Sequence, residues 1–256
     1  TTTEIAILDK GQPRIDENGA TVGGFNTMVE AVAMRTHGLG GDSEVALEEG
    51  GLEPNLILGP RRILPLALAA AAHPSILMVL EKQAKSDVLD RLEGRFAFRT
   101  GLDDRFAAGL SPSEQALYDR LTPEPKPLSG LITAASQMTS LARLVTRGLA
   151  MMSGYTPTDA QHVLGRQATG SVEAAQLGAT LFACKRDGRG RSIAATAEDM
   201  AAMTVEALER RSAELVLEAA FAEDGLDGPA MMKSPLVTRA LENRSKTVRI
   251  ALALDR

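Results

Sequence analysis

A change of hydrophobic pattern at Pro65 constrains the fold of this chain more than any other feature. Before Pro65, short apolar runs alternate with polar residues and are separated by glycines, a pattern that predicts short strands. We place these strands at residues 5–8, 32–36, 45–47 and 56–58, with a turn at 11–13 and a stop at 59–60. After Pro65 the apolar spacing becomes helical, and helices are predicted to begin at Pro65 and at Pro74. Strands followed by helices predict an α/β chain.

Helix start signals recur in the later part of the chain. Ser111 and Thr196 each stand three residues before an acid, the arrangement in which a hydroxyl and a carboxylate satisfy free amides reciprocally. The helix that follows Thr196 is predicted to run to about Ala222 and to end before Gly225. From Pro65 up to this helix the chain is predicted to be helical throughout.

Three parts follow from these patterns. Residues 1–86 form the strand-rich part, residues 87–165 a helical insertion that resembles a helix-turn-helix, and residues 166–256 a helical continuation ending in a strand at 247–254. The insertion has two interpretations, a packing or interface element and a winged-helix-like module. The net charge of −5 and the absence of a long basic stripe favour the first, because nucleic-acid binding needs concentrated Lys and Arg. No nucleic-acid partner is expected.

Composition and cysteine usage predict a cytoplasmic protein. Pro65, His73 and Pro74 interrupt the most apolar segment, which falls short of the roughly 18 uninterrupted apolar residues of a spanning helix. No membrane partner is therefore expected. The single cysteine, Cys184, cannot form an internal disulfide and lies in an apolar stretch, where a buried, inert thiol is predicted. This suits a reducing compartment.

Small hydroxyl residues open the chain. Thr1, Thr2 and Thr3 precede an apolar strand, and such residues beside free backbone amides can bind phosphate oxygens without crowding them. Glu4 could orient water bound to Mg²⁺. The alternative is that the three threonines are only strand formers.

A glycine cluster, residues 38–43, lies between two predicted strands. Glycine permits a ligand to approach the backbone closely, so Gly40, Gly41 and Asp42 are candidates for a second ligand-facing loop. A hairpin turn or a bulge explains the same residues equally well. No Gly-Lys-Ser/Thr follows, so neither this cluster nor the threonine run is a Walker loop.

Residues 156–165 are typical of a short capped helix. Thr156 is the predicted N-cap, Pro157 the first helical residue and Gly165 the end. Asp159 and His162 lie three apart on one face, where they could bind a ligand or a proton. We favour a cap for Asp159 and a packing role for His162, because the sequence offers no third metal ligand. His37 and His73 carry no such pattern.

Together these segments resemble the hydantoinase A/5-oxoprolinase family. That family carries an Asp-x-Gly-Gly-Thr-Thr-Thr-Asp phosphate loop, a later Gly-Gly-Asp-Ser turn and a Thr-Pro-Thr-Asp-Ala helix. The matching segments here, in the same order, are Thr1-Thr2-Thr3-Glu4, Gly40-Gly41-Asp42-Ser43 and Thr156-Pro157-Thr158-Asp159-Ala160. The resemblance covers most of residues 1–180. Glu4 stands where the family has aspartate, and residues 58–65 lack the family's Ser-Ala-Gly-Ala stretch, which leaves the ring substrate open.

The resemblance implies an actin-like (ribonuclease H-like) ATPase lobe in which residues 1–86 and 166–256 flank the insertion. It implies ATP and Mg²⁺ as cofactors, and hydrolysis of a cyclic amide of the hydantoin or 5-oxoproline type by phosphorylation of the amide oxygen. Thr1, Thr2, Thr3, Gly40 and Gly41 would bind the nucleotide. Glu4 and Asp42 would be catalytic, and no protein-held metal site is implied.

The resemblance also implies that the phosphate loop begins before Thr1 and that an adenosine loop follows Leu254. The chain is therefore expected to be a fragment that does not turn over ATP alone. Its expected partner is a second hydantoinase-type subunit or another copy of itself. Two alternatives stay open: the ATP-using subunit of a ketone carboxylase, and a nucleotide-binding scaffold without enzymatic activity.

Overall fold

A computed structural model describes residues 2–16, 21–22, 25–26, 31–48, 54–86 and 89–242. In these residues the protein is mixed α/β and forms two compact units. Unit 1 comprises Thr1–Gly40 and Leu208–Arg256, and unit 2 comprises Gly41–Ala207. The predicted breaks after residues 86 and 165 both fall inside unit 2. Thr1 and the predicted strand at 247–254 lie outside the described residues.

Short antiparallel strands form the first part of unit 1. They are β1 (Thr3–Ala6), β2 (Leu8–Asp9), β3 (Gln12–Pro13), β4 (Ile15–Asp16), β5 (Thr21–Val22), β6 (Phe25–Asn26), β7 (Ala31–Val32) and β8 (Met34–His37). Strand β1 pairs with β8, β4 with β7 and β5 with β6, so these hairpins are nested, while β2 pairs with β3. The tight turn of that last hairpin lies at Lys10 and Gly11, whose φ angles of 51° and 80° suit a two-residue hairpin loop.

Unit 2 opens with a hairpin of β9 (Ser43–Leu47) and β10 (Leu56–Arg62). The predicted stop at Gly59-Pro60 is wrong, because β10 continues through both residues. Proline has no N–H to donate to the ladder, and the strand accommodates it with a register shift between Leu58 and Arg62. Pairing resumes where Arg62 lies opposite Ser43.

A four-stranded sheet lies at the centre of unit 2. Its strands are β11 (Leu64–Pro65), β12 (Phe96–Arg99), β13 (Lys126–Pro127) and β14 (Ala150–Gly154), in the order β11-β14-β12-β13. Strands β11 and β14 are parallel, and the other pairs are antiparallel. The prediction of a wholly helical chain after Pro65 is therefore wrong. Strand β14 consists of Ala, Met, Ser and Gly and has no β-branched residue to signal a strand.

The helices predicted at Pro65 and Pro74 are confirmed as α1 (Leu66–Ala72) and α2 (Ser75–Ala84). Unit 2 then contains α3 (Pro112–Arg120), α4 (Leu128–Leu131), α5 (Ala135–Thr146), α6 (Pro157–Val163) and α7 (Val172–Ala183). The capping box at Ser111 is confirmed, since its N–H donates to the Glu114 carboxylate at 2.8 Å and its hydroxyl accepts from the Glu114 N–H at 3.4 Å.

The long helix α8 (Ala197–Glu223) agrees with the predicted bounds. The Thr196 hydroxyl accepts from the Asp199 N–H at 3.0 Å, and Gly225, at a φ of 73°, follows the end of the helix. The division between the two units falls inside α8, between Ala207 and Leu208. Helices α9 (Gly228–Met232) and α10 (Pro235–Glu242) follow in unit 1. Arg14 donates to both Glu223 oxygens, at 2.5 and 2.7 Å, and so joins the strands of unit 1 to α8.

Two hydrophobic cores stabilise unit 2. The first packs α1, α2 and α7 together and buries Leu66, Ile76, Leu80, Phe96 and Phe182. The second lies between the α3–α5 pair and the sheet, and buries Leu117, Leu121, Leu141, Leu144 and Met152. The predicted helical insertion therefore shares its core with a sheet. None of the helices in the described part of the chain combines the length and apolar character needed to cross a membrane.

Candidate functional site

The predicted phosphate loop lies beside Leu39, the residue before Gly40, in unit 1. Thr3 pairs with His37 across the β1–β8 ladder, and its hydroxyl donates to the Leu39 carbonyl at 2.9 Å. This hydrogen bond holds the threonine end of β1 next to the residue that precedes Gly40. Thr2 and Glu4 are exposed, while Thr3 is half-buried. Thr2 immediately precedes β1, and its side chain and that of Glu4 are both accessible to a ligand.

His37 is a residue of this region that the sequence pattern missed. Its Nε2 atom is buried and makes no hydrogen bond to any of the residues that the structure describes. An unsatisfied buried nitrogen costs about 1–3 kcal/mol, so such atoms concentrate where a ligand or a water completes the site. A period-two pattern places His37 in a strand, but only the strand register places it opposite Thr3.

Gly41 and Asp42 belong to unit 2, where both have structural contacts. The Gly41 carbonyl accepts a 2.8 Å hydrogen bond from the Thr158 N–H in the first turn of α6. The Asp42 carboxylate accepts from Nε and Nη2 of Arg62, at 2.8 and 2.6 Å. The structure therefore brings the second and third predicted motifs together. It also places a guanidinium on the carboxylate that was predicted to be catalytic.

The third motif is a capped helix, as predicted. Thr156 is the N-cap of α6, and Asp159 completes a capping box with it. Asp159 is also buried against the start of α1, where its Oδ1 accepts from the Ala67 N–H at 2.7 Å and its Oδ2 from the Leu66 N–H at 3.2 Å. The same Oδ2 accepts from the N–H and hydroxyl of Thr156, at 2.9 and 2.8 Å. One carboxylate thus caps two helices.

Burial and hydrogen bonding shift the pKa of Asp159 in opposite directions. Burial raises the pKa of Asp159 to about 6, and the hydrogen bonds from Ala67, Thr156 and Leu66 oppose that rise. The group is therefore ionised at neutral pH. Since both of its oxygens already accept hydrogen bonds from the protein, the Asp159 carboxylate has a structural role.

His162 is likewise committed to the fold. Its Nδ1 lies 2.8 Å from the Thr158 carbonyl, and its Nε2 accepts from the Thr169 N–H at 3.2 Å. These contacts fix the neutral tautomer with the proton on Nδ1 and leave no nitrogen for a metal. Among the residues described, no group of three or more His, Cys, Asp or Glu side chains is placed to hold a metal ion.

A cavity of about 540 Å³ lies elsewhere in unit 2. It is bounded by β9, the segment that leads into β12, and the end of α7. Glu44, Arg95 and Lys185 line it, and none of the three was a predicted site residue. Cys184, next to Lys185, is exposed and not buried as predicted, because α7 ends at this residue and its side chain leaves the packed face.

Comparison of the chain with protein-family models, with curated proteins and with solved structures finds no match.

Proposed function

We propose that this chain is the ATP-using part of a hydrolase that opens a cyclic amide ring of the hydantoin or 5-oxoproline type. The observation that carries the proposal is the hydrogen bond from Thr3 to Leu39, which keeps a run of hydroxyl side chains beside a glycine at the end of a strand. Exposed hydroxyls and unhindered backbone amides are the donors that phosphate oxygens need. The sequence resemblance supplies the substrate class.

Thr2 and Thr3 have different roles in the proposed site. The Thr3 hydroxyl gives its hydrogen to Leu39 and is therefore a positioning group for the loop. Thr2, which is exposed, is the residue that donates to a phosphate oxygen, in a loop that Gly40 completes. The buried Nε2 of His37 offers a further group on the strand beside Thr3.

Glu4 fits a magnesium site, because Mg²⁺ prefers carboxylate and hydroxyl oxygens and keeps several waters. Its side chain is exposed, as is that of Thr2. Mg²⁺, when bound, neutralises the charge that develops on the leaving ADP. Gly41 and Asp42 are proposed to form the second loop, in which Arg62 sets the position of the Asp42 carboxylate.

The reaction uses one ATP and two waters. The amide oxygen of the ring attacks the γ-phosphorus of ATP, and the bond from that phosphorus to ADP breaks. Water adds to the activated ring carbon, the C–N bond breaks, and the nitrogen leaves with a proton, as an amine from 5-oxoproline or as a urea nitrogen from hydantoin. The carbon is then an acyl phosphate, from which a second water releases phosphate and a carboxylate. Thr2 stabilises the charge on the transferred phosphoryl group.

Release of ADP by the full-length gene product tests this proposal. ATP and Mg²⁺ are supplied with 5-oxoproline or with hydantoin, and ADP is measured with and without the ring compound. The proposal predicts ADP release that depends on one of the two rings. Release that depends instead on bicarbonate and a ketone identifies a carboxylase subunit. ATP binding without turnover identifies a nucleotide-binding scaffold, and either result contradicts ring opening.

A further inference from the structure

The cavity of unit 2 joins positive charge to an apolar wall. Arg95 and Lys185 line it together with Glu44, and its apolar wall includes Val45, Phe182 and Ile193. Its volume of about 540 Å³ suits a small organic molecule. All of these residues differ from those of the proposed phosphate loop.

One carboxylate serves two guanidinium groups in this cavity. Glu44 pairs with Arg95 through one oxygen, and its other oxygen lies 3.3 Å from Nη1 of Arg61. Only 13% of the Glu44 side chain is exposed, so this shared carboxylate is held inside the protein. The Glu44 carboxylate is therefore already paired with two guanidinium groups.

Lys185 adds a third positive charge beside this group. Its ammonium lies 4.2 Å from the centre of the Phe182 ring and forms no ion pair with any carboxylate of the described residues. Burial lowers the pKa of Lys185 to about 8, with a further lowering by the charge of Arg95, while Glu44 opposes both. The nearest counter-charge is therefore Glu44, which Lys185 shares with Arg95 and Arg61 without an ion pair of its own.

The other acids around the cavity have partners of their own. Asp187 accepts from Arg191 at 3.0 Å, Glu93 from the Ser129 hydroxyl at 3.1 Å, and Glu48 from the Asn55 amide at 2.7 Å. The remaining charged residues in the lining, Arg91 and Arg186, are positive. The Ser129 and Asn55 partners are neutral, so Glu93 and Glu48 keep their charge. The excess of positive charge lies at Glu44, where Arg61, Arg95 and Lys185 share one carboxylate.

We propose that this cavity binds a small organic anion, with its carboxylate or phosphate group on Lys185 and Arg95 and its apolar portion against Phe182 and Ile193. An ammonium and a guanidinium bind either anionic group, and charge-assisted hydrogen bonds are the stronger kind. The apolar wall explains why an organic anion is favoured over an inorganic one.

Three small probes that differ in charge test the proposal at pH 7. Benzoate carries a carboxylate, phenyl phosphate carries a phosphate, and benzamide is a neutral molecule with the shape of benzoate. Titration calorimetry on the full chain is expected to show that at least one anion binds roughly tenfold or more tightly than benzamide, the value of one charge-assisted hydrogen bond. The tighter of the two anions identifies the ligand as a carboxylate or a phosphate.

Variants of Lys185 test whether the tighter binding of an anion than of benzamide takes place in the cavity. Lys185→Met is expected to bind the preferred anion no better than benzamide, and Lys185→Arg to retain the preference. Lys82→Met removes an exposed lysine of α2 and is the matched control, expected to bind like the wild type. A preference that survives in Lys185→Met, or no preference in the wild type, overturns the proposal.

The pH dependence of binding supplies a second readout. A bound anion raises the affinity of Lys185 for its proton, so binding at about pH 8.5 is expected to take up a proton from the buffer. Calorimetry in two buffers of different ionisation enthalpy measures that proton. Uptake is expected in the wild type and not in Lys185→Arg, and equal uptake in both proteins contradicts the assignment to Lys185.

Discussion

Asp159 accepts a 2.7 Å hydrogen bond from the backbone N–H of Ala67, 92 residues earlier in the chain. The N–H groups at the start of α1 thus donate to the same carboxylate that completes the capping box of α6. Ala67 is held on its other side as well, since its carbonyl accepts from the Ser171 N–H at 2.9 Å. This network ties three segments of unit 2 together at one point.

Asp159→Asn is expected to destabilise the protein by about 3 kcal/mol at pH 7.5, where the carboxylate is ionised. Every hydrogen bond to this side chain comes from a donor, so an amide NH₂ group must face donors of Leu66, Ala67 or Thr156. Asp199→Asn is the matched control, because Asp199 has the same position in α8 but is exposed, and should cost less than about 0.5 kcal/mol. Urea denaturation of both variants measures the difference.

The outcome separates a structural Asp159 from a catalytic one. A variant with near-native stability and lost activity would contradict the capping role, because a cap is needed for folding and not for chemistry. Loss of stability in Asp159→Asn, with little change in Asp199→Asn, is the expected pair of results.

Gly170→Ala is expected to cost about 1–3 kcal/mol. A Cβ atom at Gly170 would lie 2.6 Å from the carbonyl oxygen of Ala67, a backbone atom that Ser171 already holds in place. Gly130→Ala is the control, since Gly130 lies in α4 with nothing within 4 Å of the new Cβ. It should be neutral or slightly stabilising. Equal effects of the two substitutions on the urea midpoint would refute the close approach.

Lys185 is expected to make the stability of the protein rise with pH. Its pKa is about 8 in the folded chain, against 10.5 for an ordinary lysine, so between these values the unfolded chain binds more protons. The contribution of Lys185 to the free energy of unfolding is largest above pH 10.5, where the amine is neutral in both states. This contribution is lost as the pH falls through 8, where the buried amine becomes charged. The free energy of unfolding of the wild type, minus that of Lys185→Met, should rise by up to about 3 kcal/mol over this range. A flat difference would contradict the burial of this ammonium.

Local signals in the sequence predicted the local parts of the fold. The caps at Ser111, Thr156 and Thr196 were readable because each satisfies amides within three residues of itself. The ends of α8 were readable for the same reason, since Gly225 terminates it. The two helices after Pro65 were likewise predicted from their spacing.

The structural features that the sequence could not predict depend on contacts between residues distant in the chain. Strand β14 consists of small and flexible residues and is a strand because β11 and β12 pair with it on both sides. The second cap made by Asp159, the register that puts Thr3 beside His37, and the approach of Arg95 to Lys185 all join residues distant in the chain. No periodicity within one segment encodes such contacts.

The most direct test of the proposed ATP-dependent ring opening is ADP release by the double variant Thr2→Val/Thr3→Val of the full-length gene product. Valine keeps the shape of threonine but removes the hydroxyl that binds phosphate at Thr2 and the one that holds Leu39 at Thr3. Thr2→Ser/Thr3→Ser is the matched control, because it retains both hydroxyls. Ring-dependent ADP release is expected to fall by about 30- to 1,000-fold in the valine variant, or roughly 2–4 kcal/mol, and to stay near the wild-type rate in the serine variant. Unchanged ADP release in a folded valine variant would contradict the proposed phosphate site.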